Sequence, residues 1–164
     1  MILSRQSIIR NALLDPTHER TEIERDGGRY SYGLSAAGYD LRLDTVTGIT
    51  PNSHMDHGKF WRIRPGQFVL ASAMERFDMP VSIIGIVHDK SSWARRGLAV
   101  QNTVIEPGWR GYLTLELTNH GSETLTLYEG VGICQVVFHW LDEATDRPYD
   151  GKYQDQERGP QAAR

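Results

Sequence analysis

Residues 111–119 read GYLTLELTN. Leu113, Leu115 and Leu117 alternate with Thr114, Glu116 and Thr118, and a period of two puts the leucines on one face of a strand and the polar residues on the other. Short alternating or apolar runs recur on both sides, at 39–50, 59–65, 67–77, 82–89, 98–107, 124–130 and 132–141, most of them separated by Gly, Pro, Asn or Asp. Strands at this regular spacing predict a mainly β fold, an antiparallel barrel or jelly roll.

The ends of the chain read differently. Ser4 is placed to cap a short helix in which Ile8, Ile9, Ala12 and Leu13 fall near helical spacing. Residues 15–33 are polar, with Pro16 and the Gly27-Gly28 pair, which predicts an excursion over the surface. The last residues, RPYDGKYQDQERGPQAAR (147–164), have almost no apolar content, so their order is expected to come from a partner. A single domain follows: helix and excursion at 1–33, β core at 34–141, and a C-terminal lid at 142–164.

Bulk properties exclude several classes. A chain of 164 residues is long enough for a core without disulfides, and Cys134 is the single cysteine. A net charge of −3 gives no basic surface for non-specific nucleic-acid binding. No signal peptide or run of eighteen apolar residues occurs, so a soluble, cytoplasmic protein is expected, bound to no membrane.

Zinc-dependent nucleotide deamination needs a His or Cys, a Glu and a Pro-Cys-x-x-Cys pair, which one cysteine cannot supply. His54 and His57 are the only close histidine pair and read as a solvated turn, so no metal site is expected on the protein. Phosphate loop, dinucleotide fingerprint and nucleophile elbow are all missing. HDKSSWARRG (88–97) is more informative: hydroxyls beside Lys90, Arg95 and Arg96 after an apolar run suit an anion cradle, and equally a capped helix start. Glu116 is either an ordinary solvated carboxylate or, if its strand face lines a cleft or interface, a desolvated one fit to move protons. Glu106 precedes a Pro-Gly turn, and Trp109 after it offers either a flat surface for a sugar or a core side chain.

Five motifs in order, SAAGYDLRL (35–43), KSSWARRG (90–97), GLAVQNTVIEPGWRG (97–111), GVGICQVVF (130–138) and KYQDQERGPQ (152–161), resemble the dCTP deaminase and dUTPase superfamily. The resemblance implies a distorted jelly-roll β-barrel of the dUTPase-like type, forming a homotrimer with nucleotide sites shared between neighbouring subunits. It also implies a deoxypyrimidine triphosphate substrate carrying Mg²⁺ on its phosphates, without zinc. A glutamate at Glu116, and a tail similar to the deaminase lid, point to the dCTP deaminase branch. On that resemblance Glu116, Ser91 and Arg95 are the catalytic positions. Lys90, Ser92 and Gln135 match phosphate contacts, and Tyr149, Lys152 and Gln156 match those of the lid. Glu106 matches the residue on the sugar 3′-hydroxyl and Trp109 the ring beneath the sugar, while Trp93, Ala94 and Thr114 fall among the substrate-binding positions. Lys90 stands where the family commonly has arginine, and Glu106 where it has aspartate. The stretch from Gly97 to Glu106 has the length found in dUTPases, which leaves open dCTP or a modified cytosine nucleotide as the substrate. The alternatives are a bifunctional enzyme carrying dCTP to dUMP, a dUTPase, and a nucleotide-sensing trimer without catalysis.

Overall fold

The computed structural model describes residues 1–54 and 58–163, so His57 of the His54–His57 pair falls outside the described residues. Thirteen strands are described: β1 (Leu14–Asp15), β2 (Thr21–Arg25), β3 (Gly28–Leu34), β4 (Tyr39–Val46), β5 (Asn52–His54), β6 (Gly58–Ile63), β7 (Phe68–Asp78), β8 (Ile83–Asp89), β9 (Leu98–Val100), β10 (Val104–Ile105), β11 (Arg110–Asn119), β12 (Leu125–Tyr128) and β13 (Gly132–Trp140). Two helices, α1 (Arg5–Asn11) and α2 (Ser91–Ala94), complete the described elements.

The large sheet runs β10-β8-β13-β4-β7-β11-β9, with the β2–β3 hairpin attached to β4 and β1 to β7. Its two end strands, β9 and β10, are consecutive in the chain, and residues 101–103 run from one edge to the other. Gln101 N–H donates to the Glu116 carbonyl (2.9 Å) and Val87 N–H to the Thr103 carbonyl (3.0 Å), so the sheet curls toward closure. The predicted run 98–107 is therefore two short strands on opposite edges. A smaller sheet, β12-β6-β5, covers one end.

Alternation decides what each strand buries. Leu113, Leu115 and Leu117 enter the core while Tyr112, Thr114, Glu116 and Thr118 remain half-buried on the other face. Burying a leucine stabilises the fold by roughly 1.5–3 kcal/mol, which fixes the face and hence the direction of Glu116. Asn119 ends β11 as a buried polar hinge: its amide donates to the carbonyls of Ile63 (2.9 Å) and Glu123 (2.8 Å), tying the two sheets together.

Three expectations are corrected. In and just after α1, Ile8 and Leu13 are buried but Ile9 and Ala12 are exposed, and Ser4 stands at the N-cap position as expected but without a side-chain cap bond. The surface excursion is in large part a hairpin, β2–β3, turned through Asp26 (φ 48°) and Gly27 (φ 71°), the left-handed pair that matches strand twist. Its Tyr30 stacks on Trp93 at 5.5 Å, a long-range contact that local polarity concealed. The tail is ordered by its own chain: Tyr149 N–H donates to the Pro107 carbonyl (2.8 Å), and Gln156 bridges Gly111 in parallel.

Candidate active site

A cavity of about 470 Å³ opens between β10, β11 and the tail. Glu106, Trp109, Thr114, Glu116, Tyr149 and Gln156 line it, six of the residues singled out in the sequence, together with Thr103, Phe68, Tyr153 and Gln161, which were not. Glu106-Pro107-Gly108-Trp109 forms a tight turn, closed by Trp109 N–H on the Glu106 carbonyl (3.1 Å), with Gly108 at φ 83°. Trp109 is buried, as the core reading expected, and its indole N–H donates to the Tyr153 carbonyl (2.8 Å) while the residue also lines the cavity.

Glu116 faces the cavity beside Thr114, and desolvation holds its carboxyl above the usual carboxylate range, against a smaller lowering by its own backbone N–H. A desolvated carboxylate is a stronger base than one in water. The tail completes this wall. Gln156 donates to Thr114 Oγ1 (2.7 Å) and to the Tyr112 carbonyl (2.8 Å), and Gln161 N–H donates to Thr114 Oγ1 (3.0 Å). Farther along, Arg158 pairs with the buried Asp44, and Arg110 grips Asp155 through two bonds of 3.0 and 2.9 Å. Lys152 lies with its ammonium 5.0 Å from the Tyr153 ring centre.

The remaining site residues gather elsewhere. Lys90 is buried, with its ammonium held by Asp40 and by Ser31 Oγ (3.1 Å), and Gln135 donates to the other Asp40 oxygen (3.1 Å). Ser91, Ser92 and Arg95 project into solvent from α2, where Ala94 is also exposed. Lys90 occupies the cap position and neither serine caps the helix, so the capped-start reading is corrected. Trp93 points inward instead, its indole donating to the Gly132 carbonyl (2.9 Å). None of these residues lines the Glu116 cavity. One chain thus presents two separate clusters, a carboxylate-bearing cavity and a cation- and hydroxyl-bearing edge.

Sequence reasoning missed the buried acids. Asp40 sits inside a quoted motif and is itself buried between Tyr39 and Leu41, so its carboxylate needs partners. Glu75 is 0% exposed in the middle of β7, accepting from Arg42 N–H (3.0 Å) and Nε (2.8 Å). Burial raises its pKa and Arg42 works in the opposite direction.

A family model for dCTP deaminase-like proteins matches residues 2–141. The dCTP deaminase of Anaplasma phagocytophilum (strain HZ) is 37% identical over 147 residues, 79% of this chain and 80% of its own length. That of Campylobacter fetus subsp. fetus (strain 82-40) is 35% identical over 172 residues, 93% and 90% respectively. Among solved structures, the 2′-deoxycytidine 5′-triphosphate deaminase from Agrobacterium tumefaciens matches with a TM-score of 0.61 at 17% identity, over 84% of this chain and 47% of that one. EIAV dUTPase matches with a TM-score of 0.54 at 21% identity, over 85% and 98%. At such identities the structural likeness is one of fold.

Proposed function

This chain belongs to the dCTP deaminase-like family, and on that premise we propose that it hydrolyses dCTP to dUTP and ammonia. The observation that carries the reading is Glu116, a carboxylate with a raised pKa on the wall of a cavity that is roomy enough for a nucleoside and floored by Trp109. As water oxygen bonds to ring carbon 4, Glu116 takes one of its protons and delivers it to ring nitrogen 3. It then takes the hydroxyl proton of the tetrahedral intermediate and gives it to the amino group, which leaves as ammonia while the carbonyl forms. General acid–base work of this kind accelerates a reaction roughly 10²–10⁴-fold; the rest falls to positioning and to exclusion of water by the docked tail.

Ser91 and Arg95, which position the water and the carboxylate, reach this cavity from a neighbouring copy in a homotrimer. Two features support that arrangement: those residues stand apart from the cavity of their own chain, and the large apolar side chains of Phe68 (55% exposed) and Val104 (48% exposed) stand at its rim. The Mg²⁺ enters as part of the substrate, on its phosphates, and the reaction belongs to the cytoplasmic nucleotide pool.

Glu106 favours a second reading. Its carboxylate lines the same cavity from the turn before Trp109, where a second water aimed at the α-phosphorus would make the enzyme bifunctional. Incubation with dCTP and Mg²⁺, followed by separation of the products, decides the matter. Ammonia with dUTP is expected; dUMP with pyrophosphate moves the assignment to the bifunctional form, and turnover of dUTP but never dCTP rejects deamination.

A further inference from the structure

Arg20 reaches the same pair of groups that holds Lys90. Its Nη2 donates to Ser31 Oγ (3.2 Å) and its Nη1 lies 3.9 Å from Asp40 Oδ2, while the Lys90 ammonium donates to that hydroxyl and that carboxylate. The two cations differ in what they have left to offer. Lys90 is buried, and its charge is balanced by a carboxylate that is itself buried. The Arg20 side chain is 55% exposed, and its guanidinium has more donors than these two contacts use.

Two cations face one carboxylate here, and Arg20 is the accessible member of the pair. Of the neighbouring acids, Glu19 pairs with Arg5 and Glu22 with Arg29 at 2.6 Å, while Asp89, beside Lys90 in the chain, accepts from Val100 N–H at 2.7 Å. Gln135 stands on the same carboxylate and the serines of α2 follow Lys90 directly in the chain, so an anion lying across this edge would meet hydroxyls, an amide and a planar fork.

We infer that Arg20 binds the phosphate end of the nucleotide, with Asp40 and Lys90 acting behind it to hold Ser31 and Gln135 in position. The polar stretch before β2 thereby acquires a role, since it carries a cation to the site. The identity of the ligand rests on the dCTP reading; the anion site does not. Titration calorimetry on the full chain with dCTP–Mg²⁺, deoxycytidine and inorganic tripolyphosphate separates the two. Arg20→Gln keeps a donor for Ser31 while removing the charge, and is expected to weaken dCTP and tripolyphosphate about tenfold or more, leaving deoxycytidine unchanged. Arg20→Lys should recover part of the loss. Binding of both anions by Arg20→Gln within about twofold of the parent protein, or an equal loss for deoxycytidine, would overturn the inference. A parent protein that binds tripolyphosphate but never deaminates dCTP would overturn the deaminase reading and leave the Arg20 site standing.

Discussion

Glu116 combines two properties that oppose each other. Burial in the cavity wall raises its pKa, which makes it a better base but means that the folded state prefers it protonated. A group whose folded pKa is raised contributes stability below its unfolded value, and that contribution is lost as pH rises through the folded value. Above its folded pKa the ionised Glu116 is therefore a small cost to the fold. Glu116→Gln is expected to cut ammonia release by at least 10²–10⁴-fold, to leave dCTP binding nearly intact, and to raise the melting temperature slightly at pH 7 but not at pH 4. The acidic limb of the parent enzyme's rate profile should rise above the usual carboxylate range, since the reactive form is the ionised one. Retained deamination in this variant would remove Glu116 from the mechanism.

The strands were legible because their alternation is local and because Gly, Pro, Asn and Asp mark their ends. Each of the eight runs read from the sequence contains strand, and one breaks into β9 and β10 where it changes edges. The hairpin was hidden because Glu22, Glu24 and Arg29 face water, so the signal lay only in Ile23, Tyr30 and Tyr32, whose burial depends on distant partners such as Trp93 and Tyr128. The tail was hidden for a related reason: backbone bonds to β11 leave no trace in composition. Two glycines are the trace that was present. Gly108 lets Pro148 approach, where an added Cβ would lie 2.6 Å from its ring, and Gly111, at φ 140°, lets Gln156 approach, with Cβ 2.7 Å from its backbone nitrogen. Of the candidate site, the residues were readable through their motifs, but their division into two clusters was not, since that depends on which edge of the curled sheet each motif reaches. Gly111→Ala imposes backbone strain of about 1–3 kcal/mol and sets its Cβ 2.7 Å from Gln156 nitrogen, a clash that undocking the tail relieves. The expected outcome is faster tryptic cleavage after Lys152 and Arg158 and a higher KM for dCTP, with the far-ultraviolet circular dichroism of the sheet unchanged. Unaltered cleavage would show that the tail is held without this contact.

Assembly decides whether the two clusters amount to an enzyme. If each centre combines Glu116 of one copy with Ser91 and Arg95 of its neighbour, two differently disabled chains can repair each other. Glu116→Gln and Arg95→Ala should each be nearly inactive alone, because every centre in either homotrimer lacks one partner. Refolded together in equal amounts, a centre is intact when its cavity comes from the Arg95→Ala chain and its edge from the Glu116→Gln chain, so random mixing restores about one quarter of parental ammonia release. A centre built within one chain permits no such repair, since every copy carries one of the two lesions. Recovery that tracks the mixing ratio, maximal at equal proportions and vanishing at either extreme, would identify a site made by two copies. Activity no greater than the sum of the separate variants would confine the centre to one chain, and the exposed serines and Arg95 of α2 would then need another role.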